Sequence, residues 1–290
     1  MADKRPRPPT VRLRRLAAEL RKLRAEAGLT REDVSERTGI NEATLYRIER
    51  SRARPQKRTL VGLLDVYRAS ETQRADLLAL QSGSNDQERV RTYHSELSEK
   101  FASYLGFESE ARTVRTYESL FVPGLAQTEP YTLAVVRGTL PAVGRKETEQ
   151  RLQVRRERQT ALAGAQPPRF RAVVDEAALR REVGGPEVMR DQLWHLLDLM
   201  AEPHITLQVL PFTCGAHVGM TGGFTHMDFP DADDPELVYV ETPAGDAFLE
   251  AEEEIRHFKS MFENLQAVAL GPDDSAELLR LLAKELEGKV

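Results

Sequence analysis

The sequence predicts an α+β protein: an N-terminal head of five helices, then a mixed C-terminal domain with an antiparallel-rich sheet flanked by helices. Three observations carry this. Residues 29–50 read as two short helices joined by a tight turn, within a longer stretch of helically spaced leucines. Charge divides the chain: the first 80 residues hold 19 Lys and Arg against 11 Asp and Glu, and the remainder 22 against 35. A basic head on an acidic body suits a nucleic-acid-binding module fused to something else. In the second half, short β-branched and apolar runs cluster between helical segments.

Residues 1–10 are basic and lack the apolar core of a signal peptide, so a disordered basic arm is expected there. From Val11 to Ala27, Leu13, Leu16, Leu20 and Leu23 recur at helical spacing, and Gly28 marks the stop. Thr30 is a helix N-cap type with Asp33 three residues on. Gly39 suits the positive φ that follows a helix end. Asn41 caps the next helix, with Leu45 and Ile48 inward. Its outward face shows Glu42, Ala43, Thr44, Tyr46 and Arg47. Hydrogen-bonding side chains beside small ones suit close approach to base edges in a major groove. A helix pair of this length with glycine in the turn is a helix-turn-helix. Leu60, Leu63, Leu64 and Tyr67 mark a fourth helix. Ser70 and Gln73 form a capping box for a fifth, which carries Leu77, Leu78 and Leu80.

This stretch resembles the helix-turn-helix of the XRE/Cro/phage-repressor family from Val11 to about Leu80, including the exit ERSRARP at 49–55. The family usually has Gln where Arg31 stands, and Gly is common where Ser51 stands. The resemblance implies a repressor-type DNA-binding domain over residues 11–80, with double-stranded DNA as partner. Glu42, Ala43, Thr44, Tyr46 and Arg47 are the candidates for base contact: Arg47 for guanine O6 and N7, Glu42 for cytosine N4, Ala43 and Thr44 for a thymine methyl. Arg31, Asn41, Arg52 and Arg54 flank the recognition helix and are the candidates for phosphate, which positions without specifying. Arg50, Lys57 and Arg58 add general field.

Residues 81–106 read as a polar linker, QSGSNDQ, followed by an amphipathic helix striped with Val90, Tyr93, Leu97, Phe101 and Leu105. That stripe needs something to pack on, either the C-terminal domain or a second copy of the chain. Residues 107–290 form the expected regulatory and dimerisation domain. Strands are expected at Thr113–Tyr117, Phe170–Asp175, Ile205–Leu210, Phe224–Phe229, Leu237–Glu241 and Ala247–Glu250. Helices are expected after Thr128, from about Arg145 to Ala163, at Glu176–Val183 and Pro186–Ala201, and at the end over Glu252–Ala269 and Ser275–Glu287. VPGLAQTEPY, RLQVRRERQ, DEAALRREVGGPEVMRDQL, VLPF, GGFTHMDF and VYVE resemble the domain of unknown function attached to XRE heads in actinobacteria. Its members are described as toxin–antitoxin-like or developmental regulators, often encoded beside a small partner protein. The pattern usually has a Gly-Trp-Trp element where TYHSELSEKFASYLGF stands here.

The lone Cys214 rules out an intramolecular disulfide and agrees with a reducing cytoplasm. Cys214, His217 and His226 are candidate zinc ligands by spacing. With one cysteine and no second pair, no metal is expected, and Gly215–Gly223 reads as a mobile or pocket-lining loop. Asp175, Glu176, Glu241 and Asp246 are acids at strand ends. Nothing supplies a nucleophile with a base or a phosphate-cradling loop, so neither catalysis nor a cofactor is expected. No apolar run reaches the roughly 18–20 residues needed to span a bilayer. The expected protein is a dimeric, cytoplasmic, nucleoid-associated DNA-binding regulator. The alternatives are an antitoxin-like protein that sequesters a small partner, and a small-molecule sensor or enzymatic body anchored by the helix-turn-helix.

Overall fold

The computed structural model describes residues 10–82 and 99–289. The expected basic arm apart from Thr10, most of the linker, and Val90, Tyr93 and Leu97 of the stripe lie outside the described residues. Two compact units emerge: the residues through Glu110 together with Pro230–Pro235, and Ala111–Phe229 together with the chain from Glu236 onward.

The first unit opens with α1 (Val11–Glu26), α2 (Arg31–Thr38), α3 (Glu42–Glu49), α4 (Lys57–Val66) and α5 (Glu71–Ser82). Local chemistry sets their ends. Thr30 and Asp33 cap α2 reciprocally, the Asp33 N–H donating to Thr30 Oγ1 (3.1 Å) and the Thr30 N–H to Asp33 Oδ2 (2.7 Å). Ser70 and Gln73 repeat the device before α5. Gly39 ends α2 at φ 70°, a left-handed conformation that turns the chain into α3. The inward stripes meet in one core: Leu16 and Leu20 of α1, Val34 of α2, Leu45 and Ile48 of α3, Leu60, Leu63 and Leu64 of α4, and Leu77 of α5.

Three of these helices end in the same closure. After α1, α3 and α4, paired N–H groups return to the carbonyls of the last turn: Gly28 to Ala25 and Leu29 to Arg24, Ser51 to Ile48 and Arg52 to Arg47, Arg68 to Asp65 and Ala69 to Leu64. This Schellman arrangement puts its first outside residue in the left-handed region. Gly28 adopts it freely, whereas Ser51 (φ 56°) and Arg68 (φ 55°) carry a Cβ there. The preference for Gly at the position of Ser51 follows from that geometry.

α6 (Glu99–Glu110) also belongs to the first unit. Leu105 and Phe107 of α6 are buried. Arg14 of α1 is 1% exposed, its guanidinium 5.1 Å from the Phe107 ring centre and its Nη1 donating to the Pro235 carbonyl (3.0 Å). Arg15 pairs with Asp231 and Asp233 of Pro230–Pro235.

The second unit holds one six-stranded sheet: β1 (Thr113–Glu118), β2 (Arg169–Asp175), β3 (Ile205–Leu210), β4 (Phe224–Asp228), β5 (Leu237–Val240) and β6 (Ala247–Leu249), in the order β3-β2-β1-β4-β5-β6. β1, β2 and β3 are parallel, with Thr113 opposite Arg169 and Phe170 opposite Ile205. Parallel neighbours need helical crossovers. These are α7 (Glu129–Thr139) with α8 (Arg145–Gln159), then α9 (Glu176–Arg180) with α10 (Pro186–Met200). β4, β5 and β6 return as an antiparallel meander beside β1. Tyr117, Val173, Phe224 and Val238 pack against Phe262 and Leu265 of α11 (Glu252–Val268).

The last helix, α12 (Pro272–Glu287), starts three residues before the expected Ser275. Pro272 takes the first turn, where its missing N–H costs nothing. Ser275 is fully buried and accepts from the Val209 N–H of β3 (2.9 Å) instead of capping. Gln192 of α10 is fully buried too. Its amide donates to the Ala126 carbonyl (2.8 Å) and accepts from the Thr128 N–H (2.7 Å). With Tyr131 Oη accepting from the Val122 N–H (3.1 Å), this locks the VPGLAQTEPY turn. That conspicuous stretch is therefore a structural joint.

Arg68 is exposed in a left-handed conformation that costs an L-residue roughly 1–2 kcal/mol. Arg68→Gly should stabilise α4 and α5 by about 0.5–1 kcal/mol after the greater chain entropy of glycine is deducted. Native-state hydrogen exchange of the α4 and α5 amides in the full chain reads this directly, and faster exchange in the variant would contradict it.

Candidate nucleic-acid interface

The interface is built on α3, and α3 is held by its last residue. Glu49 is 2% exposed. Its carboxylate accepts from Arg24 Nε of α1 (2.6 Å) and Nη2 (3.2 Å), and from Arg31 Nε of α2 (2.7 Å). Its backbone carbonyl accepts from Arg21. Arg24 also reaches the Leu29 carbonyl (2.8 Å). One carboxylate thus joins all three helices around the turn, and its bond to Arg24 holds that guanidinium's pKa above its usual value. Charge-assisted, two-pronged bonds of this kind fix direction as well as distance. The sequence reading assigned Glu49 and Arg24 no role. A signal existed: Glu49 stands four residues after Leu45, on the inward stripe, where an acid needs a partner.

With α3 held from behind, its other face is presented outward. Glu42, Ala43, Tyr46 and Arg47 are exposed and Thr44 half-exposed. Arg47 Nη2 lies 3.3 Å from Thr44 Oγ1, which bends it along the helix face. Tyr46 has two guanidinium groups over its ring, Arg31 at 5.4 Å and Arg50 at 5.9 Å from the ring centre.

The four residues assigned to phosphate occupy different settings. Arg52 is exposed beside the end of α3. Arg54 is exposed, with Nη1 donating to the Gln81 carbonyl (3.0 Å). Asn41 uses its side-chain oxygen to cap α3, accepting from the Ala43 N–H (2.8 Å). Arg31 is half-buried and engaged internally, by Glu49 on one side and the Tyr46 ring on the other.

In the second unit, His217, His226, Asp175 and Glu176, singled out for metal or acid–base chemistry, are all engaged, and His217 approaches Asp175. His217 Nδ1 accepts from the Gly219 N–H (3.2 Å), and its Nε2 lies 3.4 Å from Asp175. His226 is fully buried, 2.8 Å from Glu236 and 3.3 Å from Arg115. Asp175 caps α9 through the Ala177 N–H (2.9 Å), and Glu176 accepts from Arg180 and the Phe212 N–H. The loop joining β3 to β4 runs past β2 and β1. It needs glycine at 219, where a Cβ would lie 2.5 Å from the Tyr117 ring.

One acid missed by the sequence reading stands out. Burial pushes Glu118, at the end of β1, up to about 8, with Glu241 adding to the rise and Arg155 and Arg158 opposing it. Glu241 is raised as well, first by burial and then by Asp246.

Glu49 and Glu118 can each be tested by substitution. Removing one partner of a buried ion pair leaves an uncompensated charge and costs about 3–5 kcal/mol. Glu49→Ala should therefore lower the stability of the first unit by about 3 kcal/mol, seen as lost exchange protection in α1–α3, and unchanged protection would refute the clamp. Glu118 behaves in the opposite sense to a salt-bridged acid. Its ordinary value of 4.5 is raised on folding, so its stabilising contribution is whole below that pH and fades as pH rises to about 8. Glu118→Gln should gain on the natural chain between pH 5 and pH 8 in urea unfolding, and a difference independent of pH would show that Glu118 carries no proton.

Among the described residues no helix is long and apolar enough to cross a membrane. A family model described as a Helix-turn-helix domain matches residues 15–77, and it points to DNA binding. A second, described as Domain of unknown function (DUF5753), matches residues 101–281, well over half of the chain. No curated protein and no solved structure gives a significant match. The chain belongs to the family of the Domain of unknown function (DUF5753), carried here behind a Helix-turn-helix domain.

Proposed function

We propose that this protein is a sequence-specific regulator of transcription. It acts as a homodimer through its helix-turn-helix, and its second unit receives a signal or a partner protein. The observation that carries the reading is the outward face of α3: Glu42, Ala43, Thr44, Tyr46 and Arg47 on a helix locked from behind by Glu49. An exposed, polar, rigidly backed helix of this size fits a major groove. Arg52 and Arg54 supply the flanking positive charge. The reading involves binding without a catalytic step.

The dimer follows from footprint. One such head covers few base pairs, too few to select a site in a genome, and helix-turn-helix proteins overcome this by pairing heads on half-sites about one helical turn apart. Residues beyond 85 are the proposed dimerisation region. The second unit is acidic and is repelled by phosphate, which leaves it available to a partner such as a small protein.

Sequencing the chromosomal DNA bound by the full-length protein in its own cell tests this. The expected result is an inverted repeat with half-site centres about 10 base pairs apart or a multiple of that. Arg47→Ala should weaken binding to that repeat by about 1–3 kcal/mol and relax one position in each half-site. Recovery of no common sequence would overturn the proposal.

A further inference from the structure

We propose that Tyr46 is a base-reading residue set in place before DNA arrives, and that Arg31 is the residue that positions it and not a phosphate contact. The inference rests on the DNA-binding reading and assigns its specificity. An isolated exposed tyrosine on a helix exchanges rotamers, and fixing it on binding costs free energy. Tyr46 is not isolated. It is 38% exposed, and its ring is approached by Arg31 from α2 and Arg50 from the end of α3. Guanidinium groups at such distances attract the face of an aromatic ring.

Arg31 is itself fixed. Its Nε donates to Glu49 at 2.7 Å, and Glu49 is held as well by Arg24. A continuous relay of Arg24, Glu49, Arg31 and Tyr46 therefore runs from α1 to the exposed face of α3. Each member has its direction set by the one behind it. A phosphate ligand has a different design, a long side chain whose donors are directed to solvent. Arg52 meets that description; Arg31 has spent Nε on a buried carboxylate, and its guanidinium lies 5.4 Å from the centre of a ring. What the relay presents outward is a phenol tip, able to donate to an acceptor or accept from an amine on a base edge, with an apolar ring margin that suits a thymine methyl.

The test uses the full chain and a duplex library randomised over both half-sites, followed by salt titration on the selected duplex. Tyr46→Ala should lose about tenfold discrimination at one position of each half-site. Arg31→Ala should relax that same position by a smaller factor, leave the salt slope unchanged, and add nothing to Tyr46→Ala in the double variant. Arg50→Ala removes the other flank without touching Glu49, so it should relax the same position even if Arg31→Ala fails to fold. A slope reduced by about 0.9 in Arg31→Ala with base preference intact would make Arg31 a phosphate contact and overturn the proposal. So would unchanged preference in Tyr46→Ala. If the natural protein selects no duplex at all, the DNA-binding reading falls as well, whereas the preceding outcomes overturn this inference alone.

Discussion

A carboxylate with almost no exposure, Glu49, is the constraint on which the head depends. An unpaired charge in such a place would cost several kcal/mol. The head avoids that by bringing Arg24 and Arg31 to it from two other helices. Both are less buried than Glu49, so each guanidinium keeps part of its hydration while the acid is fully served. Such a clamp contributes less to net stability than to geometry. Apolar contacts among Leu20, Val34, Leu45 and Ile48 tolerate small rotations of α3, whereas bonds near 2.7 Å to two directions do not. For a helix whose use is to present particular atoms outward, angular definition matters more than added affinity for the core.

The second unit is governed by a topological constraint. Three parallel strands require two helical crossovers, and the remaining strands return on the other side of β1. The chain must therefore pass from β3, at one edge, across the ends of β2 and β1 before entering β4. That passage accounts for Gly219 and Gly223, which lie close against Tyr117, in the loop Gly215–Gly223 that the sequence alone suggests is mobile or pocket-lining. The same arrangement leaves Glu118 half-buried at the end of β1, where reduced hydration raises its pKa. Gln192 and Ser275 show the complementary solution, polar side chains buried at helix–turn and helix–strand joints with their hydrogen bonds met.

Much of this architecture could be read before any coordinates, and the reasons are local. Capping by Thr30, Asn41 and Ser70, the left-handed Gly39, and the inward stripes of α1 through α5 all arise between residues at most four apart. All six expected strands form, with ends shifted by no more than a residue, because alternation and flanking turns suffice to place them. The outward face of α3 was legible for the same reason: once Leu45 and Ile48 point inward, helical geometry dictates which neighbours point out.

The tertiary structure decided what depends on partners distant in the chain. Glu49 lies 25 residues from Arg24 and 18 from Arg31, and no local pattern joins them. Arg31 read as a cation near DNA; the fold sets it half-buried, with its Nε on Glu49 and its guanidinium near the Tyr46 ring. The strand order, the parallel half of the sheet and the raised pKa of Glu118 likewise depend on which elements meet. The sequence by itself determined which stretches form helices and strands, because backbone hydrogen bonding and side-chain periodicity act over a few residues. Only the tertiary structure decided which charges are desolvated and what they face, because hydration is removed by whatever part of the chain packs there.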